Sequence, residues 1–230
     1  MSRICNDAMK KVYADWEDLS VDVQMRLLRK NKPENASIGR KVFIEHYSTI
    51  GTVDPGASLE IGDESIFWEK SSLNALVKGR LKIGRRCLIG NRNLIYCRDS
   101  VEIGDHVMTS WDITIYDYEA HPINPSTREK QVDYMIRYYN PFCKNDDFLS
   151  PEDNRYFENY WNDYSGFPHA PVKIGNNCWI GYGVSIMKGV TIGDNCIIAA
   201  KSVVTKSIPP NCMAGGCPAR VLKDLNKGNL

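Results

Sequence analysis

The chain holds four histidines in four different settings. His121 stands in the phrase YDYEAHPINPSTR, with Asp117 and Glu119 just before it. His169 lies where Pro168 and Pro171 crowd the backbone, while His46 and His106 fall in the segments IEHYST and IGDHVM. Histidine is the side chain whose unperturbed pKa suits it to accept a proton near neutrality. Each is therefore a candidate general base for turning a poor nucleophile, such as an alcohol, into an attacking one. Asp117 or Glu119 could orient the His121 imidazole, and spacing does not choose between them. Eight cysteines (Cys5, Cys87, Cys97, Cys143, Cys178, Cys196, Cys212, Cys217) offer a second chemistry. They form no CxxC pair, so no structural zinc site and no metal is expected.

The elements that must carry these residues are legible as a repeat. From Ile174 the sequence divides into sixes: IGNNCW, IGYGVS, IMKGVT, IGDNCI, IAAKSV, VTKSIP. The first place reads Ile174, Ile180, Ile186, Ile192, Ile198, Val204, and the fifth is mostly small or β-branched. A helix does not return an apolar residue to one face every six positions, and a plain strand repeats every two. A period of six fits a flat-sided coil in which each block supplies one short strand and one corner. The first-place aliphatic fills the interior, and the glycine after it is expected to relax the backbone near the corner. The same grammar recurs upstream at Ile38, Ile44, Ile61, Ile83, Ile89 and Ile103. Ile83 and Ile103 are 20 residues apart, two more than three blocks, so one corner between them should be widened. The fifth-place rule makes Cys87, Cys178 and Cys196 interior fillers. His46 and His106, at third and fourth places, belong on the surface.

Two segments break the pattern. Residues 1–36 are expected to be helical: Met9, Val12, Trp16 and Leu19 share a face. A second helix opens near Ser20 and Asp22, runs through Met25, Leu27 and Leu28, and ends before Pro33. From 117 to 171 the blocks vanish, and 12 of the 23 aromatic residues fall there. A long loop this aromatic is not expected to be disordered. Its rings either stack on sugars or fold the loop onto the coil or a neighbouring subunit. The expected organisation is an N-terminal helical segment (1–36), a first part of the β-helix (37–116), the aromatic insert (117–171), C-terminal coils (172–217) and a tail (218–230).

Composition narrows the partners. Lys plus Arg is 29 against 28 Asp plus Glu, which argues against a nucleic-acid binder. No apolar run approaches the roughly 20 residues that span a bilayer. The N-terminal stretch lacks a signal-type apolar core, so a cytoplasmic protein with reduced thiols is expected.

The run from IGNNCWIGYGVS to MAGGCPARVLK, together with SWDITIYDYEAHPINPSTR, resembles the hexapeptide-repeat acyltransferases. It is most like the galactoside, maltose and capsular-polysaccharide O-acetyltransferases, over roughly residues 38–225. That resemblance implies a left-handed parallel β-helix, an exception to the right-handed crossover rule, and a homotrimer with active sites between subunits. It implies acetyl-CoA as co-substrate and His121 as the catalytic base. On the donor side it implies Trp179 flanking the channel and the backbone N–H near Tyr182 facing the thioester oxygen. Ala200 and Thr205 would line the pantetheine arm, and Lys206, Arg220 and Lys223 would meet phosphates. Lys201 departs from the family, which usually has glycine there. On the acceptor side Asn91 matches a sugar-contacting asparagine, with Asn93 a nearby competitor. Asp99, Trp111 and Asp117 are further substrate-binding candidates.

The function expected is transfer of an acetyl group to a sugar or glycan hydroxyl, directly and without a covalent enzyme intermediate. The alternative is an N-acetyltransferase of an amino sugar or antibiotic. A γ-type carbonic anhydrase shares the coil but needs a zinc-histidine spacing that His106 and His121, 15 apart, do not provide. A non-catalytic scaffold would not bind coenzyme A.

Overall fold

The computed structural model describes residues 32–45, 48–143, 149–163 and 168–226. The expected N-terminal helices, apart from their last few positions, and His46 lie outside the described residues. The rest is a triangular coil with three parallel faces. Face A stacks β1 (Ala36–Ile38), β4 (Ser58–Ile61), β7 (Arg80–Ile83), β10 (Ser100–Ile103), β13 (Val172–Ile174) and β16 (Thr191–Ile192). Face B stacks β2 (Phe43–Ile44), β5 (Ile66–Phe67), β8 (Leu88–Ile89), β11 (Met108–Thr109), β14 (Trp179–Ile180) and β17 (Ile197–Ile198). It is completed by β19 (Cys212–Gly216) and β20 (Ala219–Asp224). Face C stacks β3 (Thr49–Val53), β6 (Ser72–Ala75), β9 (Leu94–Cys97), β12 (Thr114–Tyr116), β15 (Ser185–Ile186) and β18 (Val203–Val204). Only β19 and β20 pair antiparallel among these strands.

The core is the repeat made solid. First-place Ile83, Ile89, Ile174, Ile180, Ile186 and Ile192 are fully buried, each in register with its neighbour on the next coil. Cys87, Cys178 and Cys196 are buried fillers as expected, and each thiol donates to a carbonyl across the corner at 3.1 Å. Burial pushes the Cys178 thiol up to about 11. Where the interior is polar, it is paired. Asn93 is buried, donates to Thr109 Oγ1 at 2.7 Å and accepts from the Ile113 N–H at 2.8 Å. Its amide is therefore interior, which leaves Asn91 as the only outward asparagine of that pair.

The corners differ from expectation in one respect. The residue that takes left-handed backbone is not the second-place glycine but the fourth-place residue: Arg86, Arg92, His106, Asp112, Asn177, Asn195 and Lys201 all lie at φ between 54° and 60°. The glycine is there for space. A Cβ on Gly62 would lie 2.6 Å from the Arg85 nitrogen of the next coil. The corners also differ from one another. Between faces A and B, and between B and C, interior residues always recur at six: Ile83, Ile89, Ile95, and again Ile174, Ile180, Ile186. From face C back to A the interval is 11 (Ile50 to Ile61), 10 (Leu73 to Ile83) and 8 (Ile95 to Ile103) before it settles at 6 (Ile186 to Ile192). The widened corner expected between Ile83 and Ile103 is thus the C–A edge, and the aromatic insert leaves from that same edge.

The insert is largely helical rather than a loop. Helix α1 (Pro125–Tyr139) starts from Asn124, whose side chain accepts from the Thr127 N–H, with Pro125 preset for the first turn. Helix α2 (Pro151–Asp163) opens with a reciprocal Ser150–Asp153 cap. Buried Tyr134 packs on buried Phe157, ring centroids 5.5 Å apart, and Lys130 pairs with Asp153 at 2.9 Å. These aromatics fold the insert onto itself, while Tyr138, Tyr139, Phe142 and Tyr156 remain exposed.

The outward columns divide the faces by chemistry. Face A carries Glu60, Lys82, Glu102 and Lys173 in register, an alternating charged ladder with pairs at 3.8 and 3.6 Å. Face B carries Phe43, Ile66, Leu88, Met108, Trp179, Ile197 and Met213 in register.

Candidate active site

The sequence-derived candidates gather on two edges of the prism. Asn91, Trp111, Trp179, Tyr182 and Ala200 lie on or beside the B–C edge, in the corners that follow β8, β11, β14 and β17. Trp111 and Trp179 are 57% and 50% exposed, and the Trp179 indole donates to Ser110 Oγ at 3.4 Å. Lys201 sits one coil above Tyr182. Its N–H donates to the Tyr182 carbonyl at 2.7 Å, and its ammonium rests 4.1 Å from the Tyr182 ring centre. It therefore fills the outer corner that a glycine would leave open.

Backbone donors distinguish this edge. At the A–B edge, third-place N–H groups are capped by side chains from the next coil: Arg85 by Asp105, Asp105 by Asn176, and Asn176 by Asp194. At the B–C edge the corresponding N–H groups of Tyr182 and Ala200 have no hydrogen-bond partner among the described residues. The residue above Tyr182 is alanine, which has nothing to offer. Two amide donors are left beside an exposed indole, the arrangement that suits a carbonyl oxygen gaining charge.

The other group lies on the C–A edge. Asp117 is fully buried, and its carboxylate accepts from the N–H groups of Arg98 and Asp99, each at 2.8 Å. Burial pushes its carboxyl up, against the pull of those two donors. It ties the corner together. The chain then leaves and returns side by side: Glu119 donates to the Pro168 carbonyl, Tyr118 bridges His169, and Ala170 donates to the Asp117 carbonyl. Glu119 meets Lys188 at 3.2 Å. His169 is set on Asp99 at 3.1 Å, so the Asp99 candidate carries an imidazole that its sequence surroundings did not suggest. His106 is exposed at a left-handed corner, as a surface residue.

His121 is exposed just past this paired segment, and its Nδ1 lies 2.8 Å from Gln131 Oε1. Neither Asp117 nor Glu119 holds the imidazole; a helix of the insert does. Sequence reading passed over Gln131. The signal was present in Asn124–Pro125, a helix start that places Gln131 and Tyr134 on one face. Thr205 and Lys206 follow β18 and are also on the C–A edge, exposed. Arg220 and Lys223 lie on β20, an exposed outer strand rather than a loose tail. Among the described residues no group of three His, Cys, Asp or Glu side chains could hold a metal ion, and no helix is long and apolar enough to cross a membrane.

Residues 171–206 match the family model described as bacterial transferase hexapeptide (six repeats). A galactoside O-acetyltransferase of Escherichia coli (strain K12) is 35% identical over 147 residues, 64% of this chain and 55% of that protein. The galactoside O-acetyltransferase of Lactococcus lactis is 30% identical over 144 residues, 62% of this chain and 53% of that protein. The chain thus spans about half the length of these curated relatives. The crystal structure of a maltose O-acetyltransferase from Clostridium difficile 630 superposes with a TM-score of 0.53 at 26% identity, covering 96% of this chain and 86% of that one. AntD, an N-acyltransferase from Bacillus cereus solved with dTDP and 3-hydroxybutyryl-CoA, superposes with a TM-score of 0.61 at 19% identity over 87% of each chain, a likeness of fold alone. The resemblance to hexapeptide-repeat acyltransferases is borne out, and the coil is their left-handed parallel β-helix.

Proposed function

We propose that the protein is an acetyl-CoA-dependent O-acetyltransferase acting on a sugar or glycan hydroxyl, with His121 as general base. The observation that carries this reading is the pair of uncapped amides at Tyr182 and Ala200, next to the exposed Trp179, where the third-place amides of Arg85, Asp105 and Asn176 on the A–B edge are capped. As the acceptor oxygen attacks the thioester carbon, its proton passes to the His121 imidazole. The Tyr182 N–H receives the oxyanion, the C–S bond breaks, and the imidazolium returns the proton to the coenzyme A sulfur. Products are the acetyl ester and the free thiol, with no acyl-enzyme. Trp179 flanks the pantetheine arm, Ala200 and Thr205 line it, and Lys206, Arg220 and Lys223 meet its phosphates. Asn91, Asp99 and Trp111 face the acceptor.

This chemistry needs more than one copy. The donor amides and the base sit on opposite edges of face C, separated by the width of that face. Asn91 and Asp99 are divided in the same way. A ring in which the B–C edge of one copy meets the C–A edge of the next brings each set together, which supports a homotrimer with three sites between subunits.

The test is an acetyl-CoA thiol-release assay on a panel of sugars. His121→Ala should lower turnover at least about a hundredfold with an unchanged melting temperature. Mixing the inactive His121→Ala and Trp179→Ala proteins under subunit exchange should restore part of the activity, because some mixed interfaces carry neither lesion. Near-normal turnover by His121→Ala would overturn the base assignment. Preference for an amine acceptor would favour the N-acetyltransferase alternative, and no thermal stabilisation by millimolar coenzyme A would favour a scaffold.

A further inference from the structure

The contact between His121 and Gln131 has more content than proximity. Gln131 is 1% exposed, and its carbonyl oxygen sits 2.8 Å from His121 Nδ1. Its amide nitrogen is buried with no hydrogen-bond partner among the described residues. An orphaned buried N–H group is destabilising, so the site keeps this side chain for something other than stability. The helix that bears it is tied to the turn that bears the base. Asn124 caps α1, and Arg128 donates back to the carbonyls of Pro122 and Ile123, at 3.1 and 3.0 Å. One turn beyond Gln131, buried Tyr134 locks α1 against Phe157 of α2.

A glutamine amide beside an imidazole is a tautomer selector. With the carbonyl facing Nδ1, that nitrogen must carry the proton, and the lone pair lies on the imidazole Nε2. With the amide turned over, its N–H group would donate to Nδ1, and Nε2 would be protonated and unable to accept. A carboxylate would also select the first tautomer but would add a charge that stabilises the imidazolium. A neutral amide fixes the direction of the base without that charge.

We infer that Gln131 is the positioning residue of the catalytic base: it holds His121 in the Nδ1–H tautomer with Nε2 free to take the acceptor proton. This is the task of the helical insert, whose packed aromatics keep the amide dry and in place. The inference rests on His121 being the base, and its test separates the two.

Ring nitrogen shifts of His121, followed by 15N NMR in the wild type, Gln131→Leu and Gln131→Glu, report the tautomer whether or not transfer occurs. The Nδ1–H form should dominate in the wild type and in Gln131→Glu, and should give way to the Nε2–H form in Gln131→Leu. In the transfer assay Gln131→Leu should lower kcat roughly ten- to a hundredfold with the KM for acetyl-CoA within about twofold. Gln131→Glu should recover kcat to within a few fold, and the acid limb of its kcat/KM profile should move up by about one pH unit. An unchanged tautomer in Gln131→Leu, or a wild-type pH profile in Gln131→Glu, overturns the inference. If His121→Ala keeps full turnover while the tautomer still follows residue 131, the base assignment fails and the orienting contact stands.

Discussion

The three edges of the prism obey different rules. At the A–B and B–C edges every interior residue is followed by another after six positions, from the first described coil to the last. At the C–A edge the same step takes 11, 10 and 8 residues, then opens into the insert, then returns to 6. On the strict edges the corners spend a left-handed fourth residue, and at the A–B corners from Gly39 to Gly193 a second-place glycine is pressed against the coil above, which leaves little slack. On the elastic edge extra residues loop outward without disturbing the stack. The proposed chemistry divides accordingly. Donor groups, which must match one fixed cofactor, lie mainly on a strict edge; the base, its orienting helix and Asp99 lie on the elastic one. Variation in length is confined to the edge that carries the base.

Four experiments would break or sharpen that contrast. The largest difference is expected from inserting one glycine after Arg86, on the A–B edge, or after Lys78, on the C–A edge. After Arg86, β8 must slip and turn Ile89 outward, or bulge, and the urea midpoint should collapse or folding fail. After Lys78 the cost should stay below about 1 kcal/mol. Equal losses at both sites would erase the distinction. Next, Gly84→Ala should cost about 2–3 kcal/mol in chemical denaturation, since its Cβ would lie 2.5 Å from the Gly104 carbonyl oxygen. A smaller, opposite effect is expected from Lys201→Gly. Relief of left-handed backbone at φ 60° outweighs the exposed contact with Tyr182 and the added chain entropy, so the melting temperature should rise by about one or two degrees. The last should leave stability untouched. At pH 8 an alkylating reagent should label exposed Cys217 while Cys178, buried and with its thiol held near 11, stays protected.

Much of this organisation is written in the sequence, and what is missing has a physical reason. A period of six with one aliphatic per block can fold only as a flat-sided coil, so the faces, the interior cysteines and the outward histidine at 106 are local facts. His121 stands out because its phrase borders the repeat and resembles one in the hexapeptide-repeat acyltransferases. Gln131 is not, because its contact depends on how a helix turns after leaving the coil, and no periodic constraint reaches it. The second-place glycine was misread for a similar reason. A residue's own position suggests conformational freedom, whereas the requirement comes from a chain segment about 20 residues later. The His169–Asp99 pair, 70 positions apart, likewise exists only because the two ends of the insert run side by side.

A parallel coil has no natural end: its last strands are as ready to accept another layer as any beneath them. On face B that readiness is removed by β20, which folds back on β19 in the opposite direction and turns exposed side chains outward. An antiparallel strand cannot template another parallel coil. The short hairpin that turns at the GGCPAR phrase is thus a terminator of growth. Without it the same stacking that makes the monomer rigid would favour chains joining end to end as fibres.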